Sequence, residues 1–161
     1  MTTTANDSDS YVLFELAGAT YALPSRQIQQ LEMVATPTPV PNAPPFVDGV
    51  VSVRGQVIPA VSLRARFGFP RIEHDLRSRL VIVRAYGRTV GLIVDSAREF
   101  ASVAPEDIKP LPEGIGGTSG RYLRGIAQKG ERLLLIVDVR ELLETGDQRM
   151  DTVPAQAGIF T

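Results

Sequence analysis

Residues 46–68 read FVDGVVSVRGQVIPAVSLRARFG, and the fold depends on how this stretch is parsed. Two apolar runs, 50–53 and 57–63, flank a turn containing Arg54 and Gly55. A turn needs a residue that tolerates positive φ, which accounts for Gly55. It does not account for a guanidinium at the tip of so apolar a hairpin. Both faces of 57–63 are largely apolar, and so are both faces of 133–139, LLLIVDV. A strand with one face in water alternates apolar and polar residues. These strands do not alternate, so each needs a second cover besides its own barrel interior. The sister half of the chain is the nearest candidate, and an additional core between the halves is expected. Apolar residues left outside that core would form an exposed patch, the usual mark of a partner site.

The chain supplies a sister half by repetition. VLFELAGATYAL at 12–23 aligns without gaps on VIVRAYGRTVGL at 81–92, and 46–64 aligns on YLRGIAQKGERLLLIVDVR at 122–140. The second match superposes Gly49 on Gly125 and Arg64 on Arg140. Residues 11–16 and 20–23 flank Ala17-Gly18, and 80–85 and 89–94 flank Tyr86-Gly87-Arg88, both hairpin signatures. Ser25 after Pro24 reads as an N-cap, and Ile28 and Leu31, three apart, predict a short helix. Single helical turns are expected at 64–67, closed by Gly68, and at 140–144, closed by Gly146. TPTPVPNAPP at 36–45 holds five prolines and is an extended connector. EGIGGTSG at 113–120 reads as a flexible loop. Each half is therefore hairpin, connector, hairpin, short helix. Four or five short strands with an apolar face close into a small barrel that hides most of its edges. The expectation is an all-β chain of two barrels, with strands near the boundary free to cross between them. Residues 1–10 and 144–161 read as tails around one domain, 11–143, with the first barrel mainly 11–68 and the second mainly 80–143.

Composition narrows the function. A net charge of −1 over 161 residues favours neither a phosphate backbone nor an anionic membrane surface as partner. Six Phe and four Tyr without Trp, and no basic stripe, argue against single-strand nucleic-acid binding. The absence of cysteine removes disulfides and thiolate metal sites and suits a reducing compartment. No apolar run approaches the ~20 residues of a membrane span, and the first ten residues lack the apolar core of a secretory signal. The cytoplasm is the expected location. His74, the one histidine, sits in the polar loop RIEHDLRS and reads as a surface residue. No zinc or calcium ligand spacing is present. Asp95 and Asp138 both end apolar strands and read as strand-end caps. No catalytic group, cofactor or metal is expected, and the chain reads as an adaptor.

At this point VDGVVSVRGQVIPAVSLRARFG resembles the signature of the CheW family, the bacterial chemotaxis coupling proteins. VPNAPPF before it, RLVIVRAYGRTVGLIVDSAREF in the second half and YLRGIAQKGERLLLIVDVRELL near the end extend the resemblance over about 11–143. The resemblance implies two intertwined SH3-like five-stranded barrels, with no catalysis. It implies a bridge between the cytoplasmic tip of chemoreceptors and the CheW-like regulatory domain of a CheA-type histidine kinase, at receptor arrays on the inner membrane. By resemblance, Arg54 stands at the mouth of a groove between the barrels, where Gly49, Val50 and Val51 receive the receptor tip. The kinase face carries over to Val12, Ser25, Ile28 and Leu31. Ser52 and Ser62 depart from the family's Asn and Asp, and Gln30 from its usual Glu, a partner for the arginine. A small-ligand sensor using the groove is the competing reading, with Arg54, Ser52 and Ser62 as its polar groups.

Overall fold

The computed structural model describes residues 9–114 and 120–144; the segments 1–8 and 145–161, and 115–119 of the glycine-rich loop, lie outside the described residues, as does the closing Gly146. Among the described residues, ten strands run in chain order: β1 (Asp9–Leu16), β2 (Ala19–Pro24), β3 (Ile28–Met33), β4 (Val47–Val53), β5 (Gln56–Ser62), β6 (Arg79–Ala85), β7 (Arg88–Val94), β8 (Ser96–Val103), β9 (Leu123–Lys129) and β10 (Arg132–Val137). Helix α1 (Leu63–Arg66) follows β5, and α2 (Val139–Glu144) follows β10. Asp9 and Ser10, expected in the tail, open β1 and pair with Val103 and Ser102.

The turns follow from their residues. Ala17-Gly18, Arg54-Gly55 and Tyr86-Gly87 all have positive φ at both positions, as two-residue hairpins require to match strand twist. Ser62 caps α1 by accepting a hydrogen bond from the Ala65 N–H at 3.2 Å, and Asp138 caps α2 by accepting from the Glu141 N–H at 3.0 Å. Ser62 thus does at one repeat what Asp138 does at the other.

The strands form two five-stranded SH3-like sheets, ordered β8-β1-β2-β10-β9 and β3-β6-β7-β5-β4. The barrels are intertwined, and the division into 11–68 and 80–143 does not hold. The first barrel takes β1 and β2 from one half and β8, β9 and β10 from the other. The cause lies in two short crossings. Only Ser25–Gln27, a 3-10 turn, separates β2 from β3, and only Asp95 separates β7 from β8. Neither link holds the positive-φ residues that reverse the chain in the hairpins, so the chain runs on into the neighbouring barrel. Parallel pairs β10–β2 and β5–β7 then knit the halves together.

The helix expected from Ser25, Ile28 and Leu31 is instead this 3-10 turn leading into β3. Ile28 lies opposite Val83 and Leu31 opposite Val81, with Gln29 as the extra residue of a bulge. A bulge turns the two-residue period of a strand into a local three-residue one, which imitates a helix in sequence. The same irregularity occurs in β8, where Ala97 and Phe100 face Phe14 and Val12.

The alternation within each strand divides three cores. Tyr11, Leu13, Ala22, Leu134 and Ile136 fill the first barrel. Val51, Ile58, Ala60, Leu80, Ile82 and Ile93 fill the second. The opposite faces of the same strands, including Phe14, Leu23, Val61, Val81, Leu92 and Val137, meet in a larger core between the barrels. This is the additional core expected from the two-faced apolar strands. Phe14, Tyr21, Phe67 and Tyr122 run through it as consecutive ring pairs 5.4–5.5 Å apart. Arg66, buried there, lies 4.0 Å from the centre of the Phe46 ring and donates to the Leu142 carbonyl at 3.2 Å.

Candidate functional site

The expected receptor residues divide between scaffold and surface. Gly49 has φ +144°, and a Cβ on it would meet the Thr38 carbonyl oxygen at 2.1 Å. The proline-rich connector crosses β4 there, and Thr38 and Val50 exchange two backbone hydrogen bonds of 2.9 Å each. Gly125 is its repeat equivalent: a Cβ would come within 2.3 Å of the Lys109 oxygen, where Lys109 and Ile126 exchange two bonds of 2.8 Å. Gly49 is therefore a crossing point between backbones. Val51, 6% exposed, lies inside the second barrel, and Val50 is half-buried.

Arg54 is the surface member of the set. It sits at the tip of the β4–β5 hairpin with φ +52°, its side chain 77% exposed. Its Nε lies 3.9 Å from Glu32 Oε2, and Gln30 Nε2 donates to that same oxygen at 2.6 Å. The amide at residue 30 leaves Arg54 with a counter-charge, because the acid stands at residue 32. Two depressions flank the arginine. One, of about 50 Å³, is lined by Gln29, Gln30, Gln56 and Ile58 among others. The other, of about 230 Å³, is lined by Glu32, Met33, Ala35, Val51, Ser52 and Leu80 among others. Met33 is 54% exposed, an apolar surface beside the ion pair.

These linings come from β3, β4, β5, β6 and the residues after β3, so Arg54 stands at the mouth of the second barrel alone. Between the barrels lies the central core of buried apolar side chains. Ser62 belongs to the α1 cap rather than to the Arg54 mouth.

The expected kinase residues gather around the first crossing between barrels. Ser25 is half-buried in the 3-10 turn, and Ile28 and Leu31 are half-buried on the edge strand β3, packed against the central core. Val12, at 2% exposure, lies beneath the surface and presents nothing to a partner. Its cross-strand neighbour Phe100 is an exposed aromatic that sequence reading missed; its apolar spacing to Ala97 was the available signal.

Asp95, read as a strand-end cap, is a rivet between barrels. Arg64 donates to both of its oxygens, at 2.9 and 2.8 Å, and the Ala17 N–H donates at 3.0 Å. Burial works to raise the pKa of this carboxyl, but the Arg64 and Ala17 bonds outweigh it and hold it below the ordinary aspartate value. His74 lines a depression of about 100 Å³ in which Asp48 and Asp95 are already bound by Arg71 and Arg64. Among the described residues, no three His, Cys, Asp or Glu side chains could hold a metal ion together, and no helix is long and apolar enough to cross a membrane.

The sequence and fold are similar to known proteins. The profile of the CheW-like domain matches residues 10–147. The chemotaxis protein CheW of Bacillus subtilis is 31% identical over 157 residues, covering 98% of this chain and 100% of the relative. That of Klebsiella aerogenes is 28% identical over 140 residues, covering 87% and 84%. The crystal structure of the scaffolding protein TtCheW from Thermoanaerobacter tengcongensis superposes with a TM-score of 0.79 at 28% identity, covering 88% of this chain and 97% of that one.

Proposed function

Because the chain belongs to the CheW-like domain family, we propose that it is a non-catalytic adaptor coupling the cytoplasmic tip of chemoreceptors to a CheA-type histidine kinase. It works in the cytoplasm, at receptor arrays on the inner membrane. One observation carries the receptor half of this reading. Arg54 is held on a positive-φ turn beside exposed apolar surface, with its guanidinium largely in water. Ala17 and Tyr86 occupy the same turn position in the other hairpins; Arg54 differs in carrying a largely exposed charge beside the exposed Met33. A forked cation at an apolar rim suits an amphipathic helical tip, since the apolar surface supplies contact area and the charge fixes register. Arg54 and Val50 make the contact, while Gly49 and Val51 shape the strand that presents them.

The kinase half is proposed at the edge of β3, where Ser25, Ile28 and Leu31 meet the CheW-like regulatory domain and Val12 supports them from below. An edge strand offers unpaired backbone groups to a partner barrel. On β3, Ile28 and Leu31 pack toward the central core while Gln30 and Glu32 line the mouth of the second barrel, so the two clients are proposed to meet opposite faces of that strand.

The test is Arg54→Glu in the full chain, titrated separately with a soluble receptor-tip fragment and an isolated kinase regulatory domain. Reversing a rim charge is expected to weaken receptor binding by about tenfold or more and to leave kinase binding unchanged. Unchanged receptor binding, or equal loss of both, contradicts the assignment.

A further inference from the structure

The two barrels match strand for strand, and the match places two acids differently. Gln30 lies opposite Ile82 of β6, and Glu99 lies opposite Leu13 of β1. Leu13 and Ile82 are equivalent in the hairpin repeat, so Gln30 and Glu99 are equivalent too. Each directly follows the extra residue of its bulge, Gln29 or Arg98. In the first barrel Glu99 reaches across to the β9–β10 hairpin, where Arg132 Nη2 donates to its Oε1 at 2.9 Å. A carboxylate at this position can therefore hold an arginine on the facing hairpin.

In the second barrel that position is an amide, and the acid is two residues further on. Alternate residues of a strand share a face, so Glu32 keeps the side of β3 that Gln30 occupies and moves the charge roughly 6–7 Å along it. Arg54 lines both depressions of the mouth, and Glu32 lines only the one beside Met33 and Ala35. Gln30, Gln29 and Gln56 line the other, without a formal charge apart from the arginine. The short bond from Gln30 to Glu32 fixes the carboxylate that Arg54 approaches.

We propose that Glu32 is the positioning and specificity-determining residue of this mouth: it draws Arg54 toward the Met33 side and leaves the glutamine-lined side open to the receptor tip. The inference rests on the receptor-docking reading of Arg54. The guanidinium keeps outward donors for a carboxylate on the tip, while the three glutamines accept and donate to its neutral polar groups. An acid at residue 30 would pull the arginine over those glutamines and cover them. Gln30→Glu alone would also set two carboxylates against one another at the present 2.6 Å contact.

The experiment measures binding of a soluble chemoreceptor-tip hairpin, from the same organism, to the full chain by calorimetry. The variants are Glu32→Gln, Glu32→Asp, the exchange Gln30→Glu/Glu32→Gln, and Glu32→Gln combined with Arg54→Ala, each with a thermal melt. Glu32→Gln is expected to weaken binding by about tenfold, and Glu32→Asp to recover most of it, because the charge stays on the same side. Beside Arg54→Ala, Glu32→Gln is expected to change binding by less than about twofold, since its effect passes through the arginine. The exchange keeps composition and charge, yet is expected to stay at least about fivefold weaker than the parent. Parental binding by Glu32→Gln or by the exchange overturns the inference, as does an equal effect with and without Arg54. If Arg54→Ala loses the tip while Glu32→Gln keeps it, docking at Arg54 stands and the role of Glu32 alone falls. If the parent binds no receptor tip, both fall.

Discussion

Gly49→Ala is the sharpest perturbation of the scaffold, because the repeat separates two penalties that usually come together. At Gly49 an added Cβ has both a positive φ of +144° and a carbonyl oxygen at 2.1 Å. At Gly125 the oxygen lies at 2.3 Å with no positive φ, and at Gly55 φ is +80° with nothing within 4 Å. Backbone strain from a side chain at positive φ costs about 1–2 kcal/mol. Lifting the connector breaks the two Thr38–Val50 bonds, each worth about 0.5–1.5 kcal/mol net. Gly49→Ala should therefore lose ~2–5 kcal/mol, Gly125→Ala ~1–3 and Gly55→Ala ~1–2. For a domain of this size, each kcal/mol moves the melting midpoint by about 2–4 °C. Urea unfolding at constant m-value measures the three losses. Hydrogen exchange at the Val50 amide reports whether the connector has lifted. If Gly49→Ala loses no more than Gly55→Ala, or the Val50 amide keeps its protection, the crossing is not what requires glycine.

Asp95→Asn should cost ~1–3 kcal/mol at neutral pH, because it removes the charge from a partly buried bidentate pair. The Asp95 carboxyl titrates in the fold below its ordinary value. Its contribution is therefore present above the unfolded pKa of about 4 and is lost as pH falls through the folded pKa. The variant should show a flatter acid limb in stability against pH; parallel limbs would mean the rivet contributes nothing. Ile28→Asp should weaken regulatory-domain binding by about tenfold or more while lowering the melting midpoint only modestly, since Ile28 is half-buried at an edge. Complete unfolding, or unchanged binding with a folded variant, would move the kinase contact elsewhere.

Much of this architecture is legible in the residues. Arg54-Gly55, Ala17-Gly18 and Tyr86-Gly87 mark hairpins because few residues tolerate their φ values. The two apolar faces of 57–63 and 133–139 demanded the core that Val61 and Val137 now occupy between the barrels. What stayed hidden has physical causes. The bulges at Gln29 and Arg98 break strand alternation, so β3 imitated a helix and β8 carried no clear period. Barrel membership is decided by crossings as short as the single residue Asp95, which leave no compositional boundary. At the candidate site, the residue types at 49–54 identified the hairpin, but only tertiary structure separates Gly49 and Val51, which build it, from Arg54, which presents itself. Gln30 reads in sequence only as a departure from an acid; that it donates to the Glu32 carboxylate depends on the side-chain positions.

Simultaneous occupancy is the most direct measurement. Analytical ultracentrifugation of the full chain with a receptor-tip fragment and a kinase regulatory domain, each labelled with its own chromophore, should reveal one species carrying both colours. Arg54→Glu should remove only the receptor colour from it. Mutually exclusive binding, or a chain that sediments alone beside saturating amounts of both fragments, would contradict the coupling role.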